Sequence, residues 1–452
     1  MAEQAPAHGL KKDTLSFSEV VAQSVANIAP SATPALIIPL VFASAGNGTW
    51  IAYAIATAAM LFMSAQINTF AKRSASPGAL SAFTTLGLGP RWGAFSGWSL
   101  FLAYVFTASA CLAGFTNYSS VILDSLFHIR FGIALGLALM MGSLILCWWI
   151  ARQDVQLSAR FMLLMEFAAV GLIVILGAMF FFRTGRVGDG AQAAAKGMTV
   201  QGLRMALVLA LFSFVGFESA TALGDEARNP LRSIPKSVLF SVLMVGVFFT
   251  ASAYTLVLAF REAGLALDKS NSPLVDLANI AGLPRFGLPL AIGALIGQFA
   301  CLLASVNAAA RVMYAMARKG FFHAAAGSVH ETHATPHVAV AACSVAAGLV
   351  PLALLAHGAA VMDIFGYLGT LATFGFLLSY VLVAIAAPIY LRGRKELGAE
   401  GIATSAIALL LLAVPIVGSV YPVPDAPYNY LPYIFLALMA AGAVRVFRSE
   451  IR

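Results

Sequence analysis

The chain has 452 residues, of which 60% are hydrophobic and only 10% charged. Its mean hydropathy is +0.89. That mixture excludes an ordinary soluble domain, in which roughly a quarter of residues are charged. Apolar runs that mostly exceed about 18 residues also exclude a barrel of alternating strands of about 10. An all-α integral membrane protein is expected. The net charge of +8 lies largely in short loops between apolar runs, where it reads as topology and not as a surface for nucleic acid.

The first sixteen residues are polar and no small-residue cleavage site follows a short apolar stretch, so the first span is expected to serve as an uncleaved insertion signal. Twelve candidate transmembrane helices follow in chain order: 17–45, 50–70, 92–123, 131–150, 161–182, 203–223, 238–260, 288–317, 338–356, 364–390, 402–420 and 431–444. With the N-terminus inside, 19 of the 27 basic residues fall in cytoplasmic segments and 8 outside. The positive-inside rule therefore places both termini in the cytoplasm. Cys111, Cys147, Cys301 and Cys343 each sit within an apolar run and form no C-x-x-C pair, which favours packing over a disulfide or a metal set.

Two spans are interrupted. In the first, NIAPSATPALIIP (27–39) carries Pro30, Pro34 and Pro39; each removes a backbone donor, and in hydrocarbon a freed carbonyl needs a partner. In the sixth, LFSFVGFESATALGDE (211–226) places Gly216 and Glu218 near mid-membrane. Five spans make an odd number of crossings, so a second copy enters with opposite orientation and the breaks mark an inverted repeat. Broken helices at matching positions are the pattern that exposes amides and carbonyls to a solute at the bilayer midplane.

The stretch FSFVGFESATALGDEARNPLRSIPKSV (212–238) resembles the sixth-span signature of the amino acid/polyamine/organocation superfamily. SPGALSAFTTLGLGPRWGAFSGW, NSPLVDLANIAG, NAAARVMYAMARKG and FGYLGTLATFGFLLSYVLVAIAAPIYLR resemble its other landmarks, so the likeness runs through spans one to ten. It implies a cytoplasmic tail at 1–16 and a ten-helix core at 17–390, with repeats at 17–182 and 203–390. Two additional helices and a short tail at 391–452 complete the expected organisation. It also implies secondary transport of an amino acid or related amine across the cytoplasmic membrane by alternating access, with an obligate exchanger and a transporter-fold nutrient sensor as the alternatives. No cofactor is expected, and the partners are a small-molecule substrate, a proton and membrane lipid.

In such transporters the first break offers amides to the substrate carboxylate and the sixth offers carbonyls to its ammonium, in keeping with the polarity of half-helix ends. This chain departs from the family's glycine-rich first break. Pro30 and Pro34 flank it, leaving the backbones of Ser31, Ala32 and Thr33 as donors. Phe212 matches the position of an aromatic gate, with core packing as its alternative. Phe214, Val215, Gly216 and Phe217 would form the non-helical stretch. On the third span Tyr104, Thr107, Ala108 and Cys111 share a face, which would meet Gln298, Cys301 and Ser305 of the eighth. No further acid appears there to receive a cationic side chain, which favours a neutral substrate.

Two intramembrane carboxylates are candidates for proton coupling. Glu166 matches the family position that faces the sodium site of sodium-coupled relatives; its alternative is helix packing. Ala304 stands where a hydroxyl ligand beside Ser305 is expected, which favours protons over sodium. Glu218 is either proton-responsive or a structural acceptor. His330, His333 and His337 have a spacing that invites a metal, but Pro336 interrupts any helix that would align them, and no metal site is expected. Glu226 and Arg232 are expected to pair with other cytoplasmic loops. Nucleotide P-loop, zinc H-E-x-x-H and G-x-S-x-G patterns do not occur, and no enzymatic activity is expected.

Overall fold

The computed structural model describes residues 14–448 apart from 77, 130–131, 154 and 331–334, and without the side chains of 155–163 and 165. His333 therefore lies outside the described residues. The described chain is helical, with a single isolated β-bridge between Leu15 and Ala227.

Helix α1 (Phe17–Ile28) opens with a capping box, in which the Ser16 amide donates to Glu19 Oε2 at 2.7 Å, satisfying one of the orphan donors of a first turn. It ends at Ala29, in the left-handed region with φ 48°. Pro30 cannot donate a backbone bond, and with Pro34 it forces a widened π turn over Thr33–Ile37 before the chain regains α geometry in α2 (Ile38–Ala45). α3 (Thr49–Ala71), α4 (Ala79–Leu88), α5 (Pro90–Phe127), α6 (Ile133–Ala151), α7 (Val155–Thr184) and the single turn α8 (Gly190–Ala193) follow.

The second interruption follows α9 (Val200–Phe212). Residues 213–218 turn without α geometry, and a short 3-10 helix covers Ser219–Leu223. Gly216 has φ +96°, and a Cβ there would lie 2.2 Å from Asn27 Nδ2, so only glycine lets this turn close on the first break. The remaining helices are α10 (Pro230–Glu262), α11 (Pro273–Ile280), α12 (Gly287–Arg318), α13 (His337–Ala356), α14 (Val361–Gly393), α15 (Ala399–Gly418) and α16 (Leu431–Arg448).

Among the described residues nine stretches are long and apolar enough to cross a membrane, against twelve expected. The difference has a physical source. The breaks leave α9 too short to qualify, α16 is likewise short, and Phe17–Ala71 runs as one 55-residue apolar stretch. α5 lies at the centre, 94% of its most apolar window being buried, whereas α7 and α15, at 22% and 28%, form the periphery.

The two ends of the bundle are closed by different means. At the face carrying the N-terminal segment, here the tail face, the Thr14 and Leu15 amides both donate to the Glu226 carbonyl at 2.9 Å, and Arg228 returns a bond to Leu15. Beside this bridge Arg311 of α12 donates from two nitrogens to the Glu226 carboxylate at 2.8 and 3.0 Å, fully buried. At the opposite, far face, Arg261 pairs with Asp189 and also donates to Asn47 Oδ1 at 3.2 Å. Arg232 is exposed and has no ion pair among the described residues.

Candidate functional site

The two breaks pack against each other at the centre of the bundle and enclose a residual cavity of about 20 Å³, room for about one water. Its wall includes Ala32, Thr107, Cys111, Phe212, Val215, Gln298 and Cys301, seven residues expected at the site from the sequence. Asn27, Ile37 and Phe365 complete much of the rest. Phe212 meets Phe365 edge to face with ring centroids 6.0 Å apart, closing the cavity toward the far face.

Two polar atoms on residues that line this cavity lack hydrogen-bond partners among the described residues. Asn27 accepts from the Ser305 hydroxyl at 2.7 Å through Oδ1 and from the Cys301 thiol at 3.1 Å through its carbonyl. Its Nδ2 is buried without a hydrogen bond, and so is Gln298 Oε1. A buried polar group left unmet costs roughly 1–3 kcal/mol. The lining residues thus include one unused donor, packed beside Gly216, and one unused acceptor, packed beside Gly114.

Other expected site residues lie outside the cavity wall. The Ser31 amide donates to Glu166 Oε1 at 2.6 Å and its hydroxyl to Oε2 at 3.1 Å, on the side of the break that faces α7. Gly297 of α12 backs this contact; a Cβ there would lie 2.2 Å from Ser31 Oγ and 2.9 Å from Glu166 Oε2. The Ala32 amide is bonded to the Ala29 carbonyl. Thr33 is buried with its hydroxyl unpartnered. Phe214 packs edge to face on Phe249, and Phe217 packs on Tyr380 while its carbonyl accepts from Ser24.

Glu166 borders a second cavity of about 20 Å³, lined by Val25, Pro30, Phe167, Val170, Met244, Val245 and Phe248. Glu218 is placed differently. It is fully buried, and the Tyr104 and Tyr380 hydroxyls donate to its two oxygens at 2.8 and 2.6 Å. Tyr104 therefore turns from the cavity to the carboxylate. Asn27 and Phe365 were not read from the sequence. Asn27 had a usable signal, an amide in an apolar run three residues before a proline.

The sequence profile of the family described as amino acid permease matches residues 19–421. This chain belongs to that family. The permease is 25% identical over 376 residues to the branched-chain amino acid permease BcaP of Bacillus subtilis (strain 168), covering 78% of this chain and 76% of the relative. It is 24% identical over 360 residues to cationic amino acid transporter 4 of Mus musculus, covering 75% and 54%. Its fold is similar to that of a Na+-coupled sialic acid symporter solved in a substrate-bound outward-open state, with TM-score 0.53, 13% identity and coverage of 88% and 89%. The protein is thus a multi-pass membrane permease of the amino acid/polyamine/organocation superfamily, whose members are transporters and not enzymes.

Proposed function

We propose that this permease carries a neutral amino acid or a related amine across the cytoplasmic membrane by alternating access, driven by protons. The observation that carries the reading is the central cavity. It lies between two broken helices, presents one unpartnered donor and one unpartnered acceptor, and has no carboxylate, lysine, arginine or histidine in its wall. A zwitterion complements it: Asn27 Nδ2 serves the carboxylate, Gln298 Oε1 serves the ammonium, and Ile37, Phe212 and Phe365 receive an apolar side chain. At about 20 Å³ the cavity is collapsed, so loading requires Phe212 and the adjoining half-helices to move.

Twelve crossings follow if the stretch at 17–71 crosses twice, at about 20 residues each, and if α9 with its 3-10 extension and α16 each cross once. The breaks then fall in the first and sixth crossings of a five-plus-five inverted repeat. With most basic residues beside it, the tail face is cytoplasmic.

Glu166 is the proton site in this reading. Ionised, it accepts from the Ser31 amide and hydroxyl together. A proton on one oxygen turns an acceptor into a donor, and the Ser31 hydroxyl must let go or reverse. Protonation therefore loosens the unwound segment from α7. Sodium is disfavoured because the Ser305 hydroxyl is committed to Asn27 and Ala304 has no side-chain oxygen.

Uptake into proteoliposomes, with a panel of labelled amino acids and amines under separate proton and sodium gradients, tests this. Saturable accumulation driven by an inward proton gradient is expected, and Glu166→Gln should abolish that accumulation while leaving counterflow exchange. Accumulation driven only by sodium overturns the coupling, and flux without saturation overturns the transporter reading itself.

A further inference from the structure

A larger cavity lies away from the central one, at the far face. It measures about 270 Å³ and is bounded by Leu40 and Ser44 of α2, Val208 and Leu209 of α9, and Thr370 and Phe374 of α14. The end of α15 and the loop after it close it, through Gly418, Ser419, Pro424 and Tyr428. An apolar cavity of about 150 Å³ already takes a benzene ring, so this one has room for a longer hydrocarbon. It opens to the surface, since Ala43 is exposed and Leu40, Met205 and Tyr428 are only half-buried. On α14 its wall reaches residue 374, thirteen residues below the helix start at Val361. At about 1.5 Å per residue this is about 20 Å of depth, beyond the half-thickness of about 15 Å that one leaflet's chains fill.

Beside the slot lie charge and hydrogen-bonding capacity without partners among the described residues. Arg204 precedes the lining residue Met205, and its backbone and Cβ pack on Gly418. Its Nε is buried without a hydrogen-bond partner, and no carboxylate pairs with it among the described residues. Asp425, in the closing loop, is exposed and has no ion pair among the described residues. Asn429, next to Tyr428, has a buried and unpartnered Oδ1. A cation whose backbone packs on the lining residue Gly418, an exposed carboxylate in the closing loop and an amide acceptor next to Tyr428 thus lie beside an apolar slot in a membrane protein.

We propose that this slot holds an acyl chain of an anionic membrane phospholipid, with the headgroup phosphate on Arg204 and a headgroup hydroxyl on Asn429. The chain fills the apolar depth and the charge is matched at the rim. Because α2 and α9 are the half-helices that adjoin the breaks, an occupant props both against α14 and α15.

The test uses the full chain with Tyr428→Trp, in phosphatidylcholine vesicles with brominated acyl chains supplied either on phosphatidylglycerol or on phosphatidylcholine. The unsubstituted chain, measured in the same way, supplies the background of its five tryptophans. Phosphatidylglycerol should quench at about fivefold lower mole fraction, the preference that one basic residue gives for an anionic headgroup. Arg204→Gln should make the two curves coincide, and Arg204→Lys should keep them apart. Filling the slot by Ser44→Leu or, from the other wall, Thr370→Leu should remove quenching by both lipids. Coincident curves with Arg204 in place overturn the proposal, as does quenching undiminished in both filled variants. Displacement by a free fatty acid at equal mole fraction would assign the slot to a fatty carboxylate and overturn the phospholipid.

Discussion

The two breaks are built on opposite plans. The first is held open by prolines, and the carboxylate that meets it, Glu166, takes its hydrogen bonds among the described residues from Ser31, beside an apolar crevice. The second turns on a glycine, and its carboxylate, Glu218, receives hydroxyls from two helices, α5 and α14, with all three side chains fully buried. The chain just beyond the second break is fastened again by Glu226 on Arg311. A carboxylate saturated from two directions is a fixed joint. A carboxylate resting on one serine can let go. The difference separates the anchored element from the switchable one and assigns the proton to the first break.

The largest effects should therefore come from the second break. Glu226→Ala leaves the Arg311 guanidinium buried and unpaired, and removing one partner of a buried pair costs about 3–5 kcal/mol. A marked fall in melting temperature in detergent is expected; an unchanged melt would mean that the tail-face closure bears no weight. Next is Gly216→Ala. The new Cβ would overlap Asn27 Nδ2 in a backbone region that disfavours side chains, costing about 2–4 kcal/mol. Substrate binding should fall with stability, because the two breaks would no longer close on each other. Tyr380→Phe removes one of the two hydroxyls from Glu218, worth about 1.5–3 kcal/mol for a bond to a charged group. In a double-mutant cycle with Glu218→Gln the two losses should be far from additive.

The contrast was half legible in the sequence. Prolines and a glycine inside apolar runs announce broken helices because their backbone chemistry is local, and Phe212, Thr107, Cys111 and Gln298 fell on one cavity because helical periodicity carries a face across a span. Which donor each carboxylate takes was not legible. Ser31 and Glu166 lie 135 positions apart and Tyr380 and Glu218 lie 162 apart, and such pairings follow from how helices cross. The Ser31 amide, expected to face the solute, faces α7 because Gly297 leaves room there for a carboxylate.

A smaller effect is expected at the far end of the first broken span. Asn47, just past α2, is held by Arg261 and by the Lys196 carbonyl, and Arg261 pairs with Asp189. Burial alone would push the Asp189 carboxyl up; Arg261, the Gln192 side chain and two backbone amides outweigh it and hold it below the usual range. A depressed folded-state value contributes stability above the unfolded pKa of about 3.9, and that contribution is lost as the pH falls through the folded value. Asp189→Asn should cost about 1 kcal/mol at neutral pH, discounted because Arg261 is 39% exposed. The variant should lose less than the parent on acidification, as followed by hydrogen exchange at residues 46–49 and 190–198.

Ser31→Ala should have a comparably small effect on stability, about 0.5–1.5 kcal/mol, since one hydroxyl is lost and the amide of residue 31 still reaches Glu166. Its effect on coupling should nevertheless exceed that of Tyr380→Phe. The hydroxyl is the group that must let go or reverse when Glu166 is protonated, and without it the ionised carboxylate loses a charge-assisted bond, a larger loss than the neutral carboxyl suffers. The pH dependence of substrate affinity should therefore move to higher pH in Ser31→Ala and stay in place in Tyr380→Phe, as read by binding titrations across a pH series. The opposite ranking would make Glu218 the switch and the first break the fixed joint.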